Sequence, residues 1–226
     1  MSERDRSPWG LPRIDLRAGA PAGEPEGSSA AHHARWAALC GRSAGLDGQA
    51  DEAAASIVAA VAERGDDAVA EFTERFEGRK LAPEDFELPM SRAEAALAAL
   101  DPQIRASLEL AADRVARFHE TQKPATTGWQ RQDESLQSRV RPLHRVAVYA
   151  PGGTAAYPSS VLMTALPAKV AGVKEVCLFT PRPSEVVLAA AAIAKVDRLF
   201  QIGGAQAIAA AAYGTNSVPR VDKIVG

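Results

Sequence analysis

The last third of the chain repeats one pattern three times: a short apolar run, a loop rich in Gly or Pro, then about ten residues with helical spacing. Arg145 to Ala150 leads through Pro151-Gly152-Gly153-Thr154 into a helix expected over residues 159–171. Val176 to Thr180 leads through Pro181-Arg182-Pro183-Ser184 into residues 185–194. Arg198 to Ile202 leads through Gly203-Gly204 into residues 205–213, and Asp222 to Val225 opens a fourth strand. Strands that alternate with helices cannot close by hairpins. They demand a parallel sheet with crossover connections, so the fold class is α/β with a Rossmann-like parallel sheet. In such sheets ligands sit outside the carboxyl ends of the strands, which is where the glycine loops fall.

The preceding residues read differently. Residues 7–29 are rich in Pro, Gly, Ala and Ser, and residues 1–29 are expected to be a poorly ordered arm. Residues 30–135 read as a mainly helical first part, and residues 136–226 as a Rossmann-like domain. A short helix is expected at 30–42. Ile57, Val58 and Val61 mark an amphipathic helix that Gly65 ends, and Asp66 is expected to cap the next. That next helix aligns Val69, Phe72, Thr73 and Phe76. Strand character returns near Phe86-Glu87-Leu88. Ser91 with Glu94 has capping-box spacing, and Asp101-Pro102 reads as a helix start that runs to about Glu120. Ser138 to Leu143 alternates as an exposed strand does.

Composition excludes several classes. Of 226 residues, 46% are hydrophobic and 24% charged, the ordinary globular balance, with a net charge of -2. No basic field calls for nucleic acid, and 5% aromatic residues are too few for base-stacking platforms. The longest apolar run, Val186 to Ala194, is too short for a bilayer, and the charged N-terminus is not followed by a signal-type apolar stretch. A cytoplasmic protein without membrane contact is expected. Cys40 and Cys177 stand far apart, outside any CxxC, and the four histidines (His32, His33, His119, His144) form no chelating pattern. No catalytic or metal-ligating set is expected within this chain.

Two side chains stand out at the loops. Tyr149 ends the first strand just before the first glycine loop. A strand tyrosine is most often simply half-buried with its hydroxyl bonded. Gln206 opens the helix after Gly203-Gly204, where the commoner role is a solvated helix-start residue. The double-glycine turns admit an anion-cradling role or a plain tight turn, and neither is a Walker A or a GxGxxG loop.

Residues 136–226 resemble histidinol dehydrogenase. The resemblance is carried by Arg139-Val140-Arg141-Pro142, by the run from Val148 through Pro151-Gly152-Gly153-Thr154 to Met163, by Pro167 to Val173, by Gly203-Gly204-Ala205-Gln206 to Ala210, and by Val221-Asp222-Lys223-Ile224-Val225-Gly226. A weaker likeness covers 51–124. The resemblance implies NAD-dependent oxidation of L-histidinol to L-histidine through an aldehyde, in a homodimer with one zinc per subunit. It assigns Tyr149 and Gln206 to NAD binding, makes residues 136–226 the NAD-binding domain and implies that the helical part at 30–135 is an incomplete domain. It also implies that the zinc ligands and the catalytic base pair lie beyond position 226, so that this chain alone is expected to be inactive. A non-catalytic nucleotide-binding or interaction module derived from that enzyme, or one half of a split enzyme, stays open as an alternative.

Overall fold

Period-two burial defines the sheet. In β4 (Arg145–Tyr149), Val146 and Val148 turn to one face and Ala147 and Tyr149 to the other. β5 (Glu175–Phe179) repeats this with Val176 and Leu178 against Cys177 and Phe179, and β6 (Arg198–Phe200) with Leu199 against Phe200. Both faces are apolar, as a parallel strand covered on both sides requires. Phe179 and Phe200 stack across the strands at 4.8 Å between centroids.

The computed structural model describes residues 48–131, 134–152 and 156–226. The arm expected at 1–29, the helix at 30–42 and the turn residues Gly153 and Thr154 lie outside them. The chain divides into two compact units, residues 1–53 and 54–226. Of the first, the described part is the start of helix α1 (Gly48–Arg64).

The second unit holds a five-stranded sheet of order β1-β6-β5-β4-β7, with β1 at Glu87–Leu88 and β7 at Lys223–Val225. β6, β5, β4 and β7 run parallel, and β1 pairs antiparallel with β6. Helices α5 (Pro158–Val170) and α6 (Glu185–Ile193) carry the chain outward from β4 to β6 on one face. α3 (Met90–Ala99) and α4 (Pro102–Glu120) pack on that same face. α7 (Gly204–Tyr213) returns on the other face to deliver β7 to the far side of β4. The end of α1 and α2 (Asp66–Glu77) share this second face. One crossover hand with a reversed direction forces the change of face. The reversal leaves a switch point between β4 and β7.

The expected parallel sheet is therefore present, and so are the strand near Glu87 and the helix start at Asp101-Pro102. Asp101 Oδ1 accepts from the backbone N–H of Gln103 and Ile104, at 2.9 and 3.1 Å. Other details differ. Asp66 is the first helical residue, not a cap. Gly65 precedes it at φ 57, and the Asp66 carboxylate instead accepts from the backbone and hydroxyl of Ser217. Ser91 caps nothing, because Pro89, two residues earlier, holds the extended conformation from which α3 starts at Met90. Phe76 is exposed and lies off the buried face of α2. The exposed strand expected at 138–143 is β3 at Glu134–Ser138, paired antiparallel with β2 (Thr127–Arg131) in a separate ribbon.

Candidate functional site

Three loops meet at the carboxyl ends of the parallel strands, and two glycines set how closely. A Cβ on Gly152, after β4, would stand 1.7 Å from the carbonyl oxygen of Pro181, after β5. A Cβ on Gly203, after β6, would stand 2.6 Å from Pro181 Cγ. Contacts this short admit no side chain, so both positions require glycine for close approach as well as for turning. Pro181 is thus wedged between the two glycine loops. On the other side of β4, a Cβ on Gly226 would lie 2.9 Å from Tyr149 Cβ, which brings the end of β7 against the end of β4 at the switch point.

Tyr149 and Gln206 both converge on Gly204. The Tyr149 hydroxyl accepts from the Gly204 backbone N–H at 3.3 Å, spanning from β4 to the first residue of α7. Gly204 has φ 66, a left-handed value that favours glycine, and a Cβ there would stand 2.6 Å from Gln206 Oε1. Gln206 is only 1% exposed, so it is not the solvated helix-start residue that its position alone suggests. Its Oε1 has no hydrogen-bond partner within the described residues. An unpaired buried amide oxygen costs about 1–3 kcal/mol, which a ligand donor would relieve. Thr180, at the end of β5, has a second buried and unpartnered oxygen, Oγ1.

Sequence reasoning missed the polar brace beside this crevice. Arg79 donates to the side chain and carbonyl of Gln201, just beyond β6, while pairing with Glu77. Arg182, at φ 47, donates to the Glu77 carbonyl. A non-glycine residue at positive φ beside Pro181 is strained, and such strain persists only where neighbours hold it. Arg79 and Gln201, like Arg182 and Glu77, lie more than a hundred residues apart, and no local spacing signals them.

The remaining reactive groups among the described residues do not form a centre. Cys177 is fully buried, and burial pushes its thiol up to about 12, with Glu175 adding to the rise. It is an inert core thiol, not a nucleophile. His119 stacks edge-on against Phe118, and the cap of α4 is Thr121, whose hydroxyl donates to the Phe118 carbonyl. Among the described residues, no group of three His, Cys, Asp or Glu could hold a metal ion, and no helix is long and apolar enough to cross a membrane.

The histidinol dehydrogenase family model matches residues 41–226. The chain belongs to the histidinol dehydrogenase family. The histidinol dehydrogenase of Syntrophotalea carbinolica is 55% identical over 183 residues, covering 78% of this chain and 42% of that protein. The enzyme of Pseudomonas aeruginosa is 53% identical over 186 residues, covering 80% and 42%. The crystal structure of histidinol dehydrogenase from Elizabethkingia anophelis superposes with a TM-score of 0.71 at 26% identity, covering 78% of this chain and 42% of that one. The chain therefore spans less than half the length of these histidinol dehydrogenases, and every loop of the crevice falls within the matched residues.

Proposed function

We propose that this chain supplies the dinucleotide-binding part of an NAD-dependent histidinol dehydrogenase that oxidises L-histidinol to L-histidine, with Tyr149 and Gln206 as cofactor contacts. The observation that carries this reading is the convergence of the Tyr149 hydroxyl and the orphaned Gln206 amide oxygen on Gly204, beside the switch point of a parallel sheet. NAD fits these residues. Glycine loops allow backbone N–H groups to approach a pyrophosphate, the start of α7 favours an anion, and Gln206 Oε1 awaits a donor such as a carboxamide or ribose hydroxyl. Bound NAD supplies the hydride acceptor. The residues of this chain bind and orient it, and the Tyr149–Gly204 bond holds two of the loops in register.

Zinc does not fit the described residues, which offer no ligand set for it. In this reading the domains divide as residues 30–135 and 136–226, and the working state is a cytoplasmic homodimer. The test is titration of the chain with NAD, followed by amide chemical shifts. We expect saturable perturbation at residues of the three loops. Gln206→Ala should weaken binding by about tenfold to a hundredfold, the worth of one buried polar contact. Equal affinity in Gln206→Ala and Tyr149→Phe, or no perturbation in the wild type, overturns the reading.

A further inference from the structure

Helix α2 ends beside the crevice, and its last residue, Glu77, reaches the loops after β5 and β6. Gly78 caps the helix at φ 64, and its N–H donates to the Glu74 carbonyl at 2.9 Å. This left-handed turn folds Arg79 back onto Glu77, whose Oε2 accepts from Arg79 Nε at 3.1 Å and Nη2 at 2.7 Å. The two side chains are only 22% and 14% exposed. The same guanidinium donates to the Gln201 carbonyl at 2.6 Å and to Gln201 Oε1 at 3.1 Å. Gln201 donates its backbone N–H to the Phe86 carbonyl and its Nε2 to the Asp85 carbonyl, both at 2.8 Å. All four polar groups of Gln201 are thus engaged, two residues before Gly203. A second arm leaves Glu77 through its carbonyl, which accepts from Arg182, the residue after Pro181.

We propose that Arg79 is a positioning residue for the cofactor crevice. Its guanidinium fork, oriented by Glu77, fixes the direction in which the chain leaves β6 and so the place of Gly203 and Gly204. This role rests on the reading of that crevice as the NAD site. A guanidinium holds its acceptors in one plane, so it constrains direction as well as distance. Glycines have no side chain with which to anchor a loop, so the anchor comes from the residues before them. Tyr149 and Gln206 converge on Gly204, and only Ile202 and Gly203 separate Gly204 from Gln201. Pairing with Glu77 keeps the guanidinium from standing uncompensated in a poorly hydrated position.

Amide hydrogen exchange on the 226-residue chain, free of NAD, tests the role. The N–H of Gln201 is bonded to Phe86 and that of Gly204 to Tyr149, so both amides report local opening. Arg79→Met keeps the apolar stem and removes the fork. We expect exchange at both amides to quicken about tenfold while β4 and β5 keep wild-type rates, and NAD to bind about tenfold more weakly. Arg79→Lys keeps the charge without the fork and should leave both amides fast. If the methionine variant fails to fold, the lysine variant supplies the same comparison. Unchanged exchange at the two amides, an equal rise throughout the sheet, or full recovery by lysine overturns the role. So does unchanged NAD affinity in a variant whose two amides have quickened. A wild-type chain that does not take up NAD overturns the proposed function instead, and the exchange rates still decide whether Arg79 positions the loop.

Discussion

Gly152 shows how much a single missing side chain can determine. Its hydrogen leaves room for the Pro181 carbonyl, and a methyl group would fall 1.7 Å from that oxygen. Gly152→Ala must therefore move one loop, and we expect it to lower stability by about 1–3 kcal/mol or more, measured by urea denaturation. Gly48→Ala, with nothing within 4 Å, should fall within about 0.5 kcal/mol of the wild type. That double glycines end these strands was legible in the sequence. That they clamp a proline from the strand between them was not, because the clash arises from tertiary approach. Gln206 teaches the same lesson. Its place at a helix start was legible, but its burial depends on how α7 packs over the sheet.

Among the elements, local chemistry was readable wherever it was self-contained. Asp101 followed by Pro102 specifies the start of α4 within four residues, and the structure has the capping bonds. Asp101→Ala should cost about 1 kcal/mol with α4 otherwise intact, and thermal unfolding would show the shift. A loss below the error of that measurement would mean that packing alone holds the helix start. The β2–β3 ribbon was missed for the opposite reason. Trp129 opposite Leu136 is its main apolar pair, both exposed, and Thr127 to Arg131 is too polar and irregular to announce a strand. The buried strands announced themselves because two-sided burial leaves continuous apolar runs. Helix starts set by proline or glycine conformation, as at Pro89 and Gly65, misled the capping pattern because serine and aspartate side chains were not needed there.

Across the whole molecule, the amino ends of the strands carry a charge ladder. Arg145 of β4 pairs with Glu175 of β5, Glu175 also faces Arg198 of β6, and Arg198 pairs with Glu87 of β1. The charges alternate across four strands, so a slip of any one strand parts its charge from its partners. The hydrogen bond from Arg145 holds the Glu175 carboxyl below its ordinary value of 4.5, with both guanidiniums adding to the effect. Backbone donors from Arg145 and His144 lower Asp222 as well. A depressed folded value stabilises the fold above the unfolded value and loses that contribution as pH falls through the folded one. Stability should therefore be level above about pH 4.5 and decline below it. Glu175→Gln should cost about 1–3 kcal/mol at neutral pH and flatten part of the acid decline, as read from denaturation midpoints across pH. An unchanged acid decline in this variant would place the titrating groups elsewhere.

The wedge at Pro181 has a mechanical meaning. Gly152 closes on the carbonyl of Pro181 and Gly203 on its ring, so a displacement of that one proline is felt at both glycines. A side chain added at either glycine therefore presses on the same residue, and the two positions answer to one shared constraint.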